Sequence, residues 1–295
     1  MTWFFVEQFL DMGGKVLPSS LKITLLVDNN ASDGLEKEHG FAAWIEVGES
    51  RILFDTGQSG ALLANADRLG INLADADTLV LSHGHYDHTG MLPQVFEINQ
   101  KMRVFYAPSL EIDRWSCRAG TDPRAIGIPE ASRLALQALP DERLFELHSF
   151  AYLMEGVGIT GPVPRISARE DTGGPFYLES SAMNDDLIED DQSMWFETDE
   201  GIVILLGCCH SGLVNTVDYI RSISGKDRIR GIIGGMHLVN ADEARLSFTF
   251  DAMKEWDPEF LVPCHCTGEE QTASMVDAIG DDTVWPGHAG KVIQI

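Results

Sequence analysis

The side chains best suited to metal chemistry crowd into six positions. From His83 the chain reads His83-Gly84-His85-Tyr86-Asp87-His88, the pattern H-x-H-x-D-H. Imidazole together with carboxylate suits zinc, iron or manganese. His83 and His85, two apart, can point the same way and share one cation, and Asp87 and His88 can serve a second close by. Two cations roughly 3.5–4 Å apart can hold a hydroxide between them and polarise a substrate oxygen. The chain has 9 histidines and a third of them fall in this hexapeptide, a clustering that no packing role requires. One or two transition-metal ions are therefore expected, zinc first, with manganese or iron as alternatives. Asp87 is the expected catalytic group, helping to manage the proton.

These residues need a rigid support, and the flanking sequence supplies one. Thr78 to Leu81 is short, apolar and partly β-branched, which predicts a buried strand ending where the ligands begin. Met91 to Ile98 is a predicted helix on the far side. Three later predicted strands also run into histidine. Gly201 to Leu206 leads to Gly207-Cys208-Cys209-His210, Arg228 to Ile233 to Gly234-Gly235-Met236-His237, and Phe260 to Pro263 to Cys264-His265-Cys266. In α/β architectures, strand ends that face one edge form the site. His237 reads equally as a hydrogen-bonding pocket residue or a core histidine.

Ser82 to Gly90 resembles the signature of the metallo-β-lactamase superfamily. Ile52-Leu53-Phe54-Asp55-Thr56-Gly57 is similar to that superfamily's strand ending in D-T-G. Glu38 to Phe41, Gly207 to Gly212, Gly234 to Leu238 and Pro263 to Gly268 resemble the branch that includes the dihydropterin-ribofuranosylaminobenzene-phosphate synthases of methanopterin biosynthesis. The resemblance runs from about Leu21 to the C-terminus. It implies an α/β fold, an αββα sandwich of two mixed β-sheets flanked by helices, with the metals at one edge. It also implies His210 and His265 as further metal ligands, and His39 and Asn30 as residues at the site mouth. Asp55 is expected to orient the histidine loop rather than to ligate. One departure stands out. Many superfamily members have a metal-bridging aspartate where Cys208 follows Gly207. Either Cys208 supplies a thiolate, or it is a small buried apolar residue and His210 compensates.

At 295 residues the chain fits one domain, 1–295, with 1–20 as an N-terminal extension and 108–191 as an irregular insertion near the site. The net charge of −25 argues against nucleic acid and against an anionic membrane surface as partners. It does not argue against a small phosphorylated substrate, because bound cations can dominate the local field. Arg165, the one base in the turn-rich Thr160 to Arg165 loop, is a candidate phosphate clamp; a salt bridge to Glu170 or Asp171 is the alternative. Five cysteines in no disulfide-framework spacing fit a reducing compartment, so a cytoplasmic location is expected. Oligomeric state is open, a homo-oligomer included. Trp3-Phe4-Phe5 would pack on the domain or form a partner surface.

Elsewhere, Ser211 is expected to cap a helix over Leu213 to Ile223, and Thr267 with Glu270 to form a capping box. Asn240 with Glu243 has the spacing of another helix start. The acidic run Asp185-Asp186 and Glu189-Asp190-Asp191 is expected to be a solvated loop, with a lid over the site as the alternative. Three function classes follow. The first is a transferase that joins a pterin-methyl diphosphate to an aminobenzene ribosyl phosphate. The second is a metal-dependent hydrolase of an ester or phosphodiester. The third is a non-catalytic metal-binding or redox protein.

Overall fold

A computed structural model describes residues 20–295 of the chain. The Trp3-Phe4-Phe5 segment lies outside the described residues. In chain order the structure runs β1 (Leu21–Val27), β2 (Ala42–Val47), β3 (Ser50–Phe54), α1 (Ala61–Arg68), β4 (Thr78–Val80), α2 (Tyr86–Thr89), α3 (Leu92–Ile98) and β5 (Arg103–Tyr106). There follow β6 (Trp115–Ser116), β7 (Arg124–Ala125), α4 (Glu130–Gln137), β8 (Leu144–Glu146), β9 (Ala151–Met154), β10 (Val157–Ile159) and β11 (Phe176–Tyr177). The last third holds β12 (Met194–Thr198), β13 (Gly201–Leu206), α5 (Leu213–Ser224), β14 (Ile229–Gly235), α6 (Glu243–Trp256), β15 (Phe260–Cys264), α7 (Glu269–Ile279) and β16 (Val292–Gln294).

Among the described residues these strands make two large sheets and one small one. The first has the order β16-β1-β2-β3-β4-β5-β8, the second β15-β14-β13-β12-β10-β9, and the small one β11-β6-β7. Both large sheets are mixed: β3, β4, β5 and β8 run parallel, as do β13, β14 and β15, while the rest pair antiparallel. The 108–191 stretch is not all outside the sandwich, since β8 ends one sheet and β9 and β10 end the other.

Period-2 alternation in nearly continuous apolar strands explains the layering. In β13, Val203 and Leu205 face the first sheet, where they meet a core containing Ile23, Leu25, Ile45 and Phe54. Ile202, Ile204 and Leu206 point the other way, into the layer of α5, α6 and α7. In β3, Ile52 and Phe54 enter the inter-sheet core while Leu53 joins the cluster under α1, α3 and α4. Helices thus cover both outer faces, giving the αββα sandwich.

Several local expectations are corrected. Gly212, not Ser211, precedes α5, and Glu170 accepts from the Val214 and Asn215 amides at 2.9 and 2.8 Å. The Ser211 amide instead donates to Asp191. Thr267 does not cap α7; its Oγ1 accepts from the Met236 amide at 3.1 Å. Asp242 rather than Asn240 caps α6, accepting from the Arg245 amide at 2.8 Å. At α5 and α7 a long-range partner outcompetes the local pairing that spacing suggests, whereas at α6 the cap moves two residues on and Asn240 Nδ2 donates to the Gly173 carbonyl at 3.0 Å.

The acidic run is corrected as well, because only its alternate members face solvent. Asp185 and Glu189 are exposed, whereas Asp186, Asp190 and Asp191 are buried. Asp190 accepts from the Gly84 amide at 2.8 Å and from Arg114 Nη2 at 2.6 Å. Gln192 donates its amide to the Ser82 carbonyl and its Nε2 to the Leu81 carbonyl. Asp191 accepts from the Ser211 amide at 2.8 Å. Residues 190–192 therefore strap the end of β4 to the turn after β13.

Candidate metal centre

Four strand ends converge here, and each turns through a residue in the left-handed region. Asp55 follows β3 with φ 58°, Cys209 follows β13 with φ 59°, His237 follows β14 with φ 44° and His265 follows β15 with φ 46°. Such a conformation costs a non-glycine residue about 1–3 kcal/mol and persists only where the surroundings over-determine it. Close approach also dictates glycine. A Cβ at Gly84 would lie 2.0 Å from the Leu110 carbonyl oxygen, and one at Gly207 would lie 2.2 Å from Ser82 Oγ.

A single hydrogen-bond chain sets the imidazole orientations. Asp55 Oδ1 accepts from the Ser82 amide at 2.7 Å, and its Oδ2 faces Ser82 Oγ at 2.6 Å and His88 Nδ1 at 2.7 Å. Ser82 Oγ lies 2.9 Å from His83 Nδ1. Thr172 offers its carbonyl to His210 Nδ1 at 2.8 Å, so that nitrogen must donate. His265 Nδ1 lies 2.9 Å from Asn29 Oδ1. Nδ1 is thereby occupied in His83, His88, His210 and His265, which leaves the Nε2 atoms to face inward, the arrangement that second partners impose on metal-binding histidines.

The inward atoms lie close together. His83, His85 and His210 offer ligand atoms all within 4.8 Å of one another, as do His83, His88 and Cys208. His39, Asp87 and His265 make a further group. Asp87 Oδ2 is 3.0 Å from His39 Nε2 and 3.4 Å from His265 Nε2. Buried His85 Nε2 and His210 Nε2 meet no hydrogen-bond partner among the described residues, a costly arrangement unless something accepts their lone pairs. Burial, with help from neighbouring imidazoles or Arg114, pushes His83, His85 and His210 well below the usual histidine range and keeps them neutral. His88 differs: burial opposes its charge, but Asp55 outweighs burial and raises it to about 9. Burial would raise Asp87, yet hydrogen bonds from His265 and His39 hold it well below the carboxylate range. Neutral imidazoles, an ionised carboxylate and orphaned nitrogens are what transition-metal ions require.

The cluster forms the floor of a cavity of about 1340 Å³. Its walls include Tyr86, Arg118, Arg124, Phe176 and His237. Arg124 stacks over the Tyr86 ring at 4.6 Å, and among the described residues neither Arg118 nor Arg124 has an acidic partner within 4.0 Å. Asn30 lines the cavity, but its neighbour Asn29 makes the contact to His265. His39 stands half exposed at the mouth. His237 sits between the rings of His210 and Phe176, with buried Nδ1 unpartnered. Arg165 is not in the cavity wall. Its Nη1 donates to the His210 carbonyl at 2.5 Å and its Nη2 to the Glu170 carbonyl at 3.1 Å. Backbone carbonyls take up the Arg165 fork, so the salt bridge to Glu170 or Asp171 is not formed; Asp171 pairs with Arg245 instead.

The family model of the metallo-beta-lactamase superfamily matches residues 36–112, which hold Asp55 and the whole His83–His88 loop. An uncharacterized protein of Methanocaldococcus jannaschii is 34% identical over 276 residues, spanning 92% of this chain and 100% of that protein. The chain belongs to the metallo-beta-lactamase superfamily. Within it, the 7,8-dihydropterin-6-methyl-4-(beta-D-ribofuranosyl)-aminobenzene-5'-phosphate synthase of the same organism is 29% identical over 296 residues, covering 95% of this chain and 98% of that one. Tm1679, a metal-dependent hydrolase of the beta-lactamase superfamily, superposes with a TM-score of 0.76 at 28% identity over 93% of this chain and 99% of that chain. Igni18, a metallo hydrolase from Ignicoccus hospitalis, shares the fold at 14% identity with a TM-score of 0.54, covering 94% and 99%.

Sequence reasoning left out Cys266, Arg118, Arg124, Asn29 and the Arg114–Asp190 brace. Cys266 carried a signal, its place beside His265. The two arginines sit on a short hairpin whose position depends on the small third sheet, so no local pattern marks them.

Proposed function

We propose that this superfamily member is a metal-dependent enzyme acting on a phosphorylated small molecule, with transfer of a pterin-methyl group to an arylamine ribosyl phosphate as the favoured reaction. One observation carries the reading: inward-facing imidazole and carboxylate groups form the floor of a wide cavity whose wall bears two arginines without acidic partners among the described residues. In a chain of net charge −25, arginines left without acids at a cavity wall favour an anionic ligand there. The phosphate-binding role expected of Arg165 passes in this reading to Arg118 and Arg124. The similarity to the archaeal synthase supports the same substrate class.

His83, His85 and His210 would hold one cation, and Asp87, His88 and His265 a second. Bound there, the metals supply Lewis-acid stabilisation of a leaving or attacking oxygen. The chain's own contributions are distinct. Arg118 and Arg124 hold the phosphate end, Phe176 and Tyr86 offer flat apolar faces to an aromatic body, and Asp87 accepts a proton. In the transfer, the arylamine nitrogen or its ring carbon attacks the pterin methyl carbon, the carbon–oxygen bond to diphosphate breaks, and the proton lost by the acceptor passes to Asp87 and then to water. Hydrolysis of an ester or phosphodiester is the second reading, favoured by similarity to Tm1679.

The deciding assay incubates metal-loaded protein with a pterin-methyl diphosphate, with and without an aminobenzene ribosyl phosphate. Acceptor-dependent diphosphate release with a joined product is expected. Cleavage of generic esters or phosphodiesters, with no acceptor dependence, would replace the transferase with the hydrolase.

A further inference from the structure

Two sulfur atoms reach into the metal centre, and one of them sits at its hub. Cys208 shares ligand-distance groups with His83 and His88, with His265 and Cys266, and with His210 and His237. It is the residue common to three of the groupings of side chains that can hold an ion. Its Sγ lies 3.1 Å from His88 Nε2. Cys266 Sγ lies 3.6 Å from the Cys208 carbonyl oxygen, and a Cβ at Gly235 would come within 2.6 Å of that sulfur. The backbone of β14 is thus bare where Cys266 needs room. Both side chains are buried, and both line the cavity floor. Of the other three cysteines, Cys264 borders the cavity but belongs to the inter-sheet core, its Sγ donating to the Val262 carbonyl at 3.2 Å. Cys209 packs in the apolar cluster beneath α5, and Cys117 lies half-buried in the small sheet.

An apolar role explains burial but not this placement. Two thiols turned toward five imidazoles make no hydrophobic core, and the buried His237 Nδ1 beside them has no hydrogen-bond partner among the described residues. We infer that Cys208 is a thiolate ligand shared between the two cation positions, with Cys266 as a second sulfur ligand of the position nearer His265. The centre is then of mixed character. Apart from the shared Cys208 sulfur, the His83, His85 and His210 side offers nitrogen alone, while the His265 side adds the Cys266 sulfur, nitrogen and the Asp87 carboxylate. Sulfur biases that second position toward zinc or another borderline or soft ion and against magnesium or calcium. Each thiol gives its proton to water as the metal–sulfur bond forms, so uptake releases at least two protons beyond those lost by histidine.

This inference rests on the metal-dependent reading above, and the test separates the two. The protein is loaded with cobalt(II), its metal content is measured, and the near-ultraviolet absorption is recorded together with X-ray absorption at the cobalt edge. Two cobalt ions per chain, a thiolate-to-cobalt charge-transfer band and sulfur in the first coordination sphere are expected. Cys266→Ser should reduce the band and weaken the second cobalt by at least about tenfold, since losing a ligand outweighs losing a supporting contact. Cys208→Asp, which restores a carboxylate at the hub, should keep both ions and leave only the absorption due to Cys266. Cys117→Ser should change neither. Two bound cobalt ions with nitrogen and oxygen neighbours alone would overturn this inference and leave the metal-dependent reading standing. A chain that takes up no cobalt would overturn both.

Discussion

Asp55 shows how one carboxylate governs the centre from behind. It binds Ser82 through both oxygens and holds His88 Nδ1, so the loop backbone and one imidazole share a single anchor. Its charge raises His88 to about 9, so below that pH His88 is an imidazolium in the metal-free protein and must lose a proton before its Nε2 can ligate. The sign follows directly. From about pH 6 to 9 the apparent metal affinity should rise by about tenfold per pH unit for this proton alone, and flatten above. Asp55→Asn should move that dependence to lower pH, because the largest group opposing burial at His88 is then lost and Asp87 remains, and should weaken the metal by about 10–100-fold. Titration calorimetry in buffers of different ionisation enthalpy counts the protons; equal release by both proteins would contradict the account.

The 190–192 strap is the element that joins the two sheets at the site. Arg114 is fully buried and pairs with Asp186 at 3.2 Å and Asp190 at 2.6 Å, while Asp190 also receives the Gly84 amide. Removing the cation leaves two buried carboxylates facing each other. Arg114→Met should therefore destabilise the fold by about 3–5 kcal/mol, the range for breaking one side of a buried ion pair. Asp190→Asn keeps an acceptor for Gly84 and loses only the charge, so a smaller loss of about 1–3 kcal/mol is expected. Urea unfolding midpoints at constant slope measure both. Equal, sub-kilocalorie effects would mean that the strap is dispensable. The acidity of this run invited a solvated reading because net charge is visible in sequence, whereas the single arginine that neutralises it lies more than 70 positions away.

For the molecule as a whole, the metal centre sits on the seam between the sheets, so occupancy should bear on global stability. A ligand that binds only the folded state at a hundredfold its dissociation constant adds about 2.7 kcal/mol. In a chain of this length that corresponds to a rise of at least a few degrees in Tm. Chelation followed by dialysis should lower Tm by that amount, and re-addition of zinc should restore it. His83→Ala and His265→Ala, one from each sheet, should both have reduced metal content by elemental analysis and a smaller chelator-dependent shift. A melting temperature unmoved by chelation in protein known to carry metal would count against a centre that ties the sheets together. Among the described residues no helix is long and apolar enough to cross a membrane.

Much of this was legible locally. The order His83, His85, Asp87, His88 lies within six residues, and strand alternation and helix spacing follow from neighbours two to four apart, so sequence alone determined many of the elements, the histidine loop and the histidine at the end of each later strand, while the αββα layering was implied by the resemblance to the superfamily. The apolar spacing around Leu134 to Leu139 predicts a helix, which the structure places at Glu130–Gln137, and the hairpin of β12 and β13 falls within that reach too. What binds across the site does not. Cys208 meets His88 across 120 positions, Gly84 meets Asp190 across 106, and His265 meets Asn29 across 236. Such pairs exist only once two sheets are packed face to face with their strand ends at one edge. The left-handed turns at Asp55, Cys209, His237 and His265 belong to the same class, since residue type alone does not require that conformation and partners from other strand ends hold Asp55, through Ser82, and His265, through Asp28 and Asn29. Tertiary packing, not local preference, decided which side chains face the candidate metal centre, turned Arg165 onto the His210 carbonyl, and brought Arg118 and Arg124 to the cavity wall.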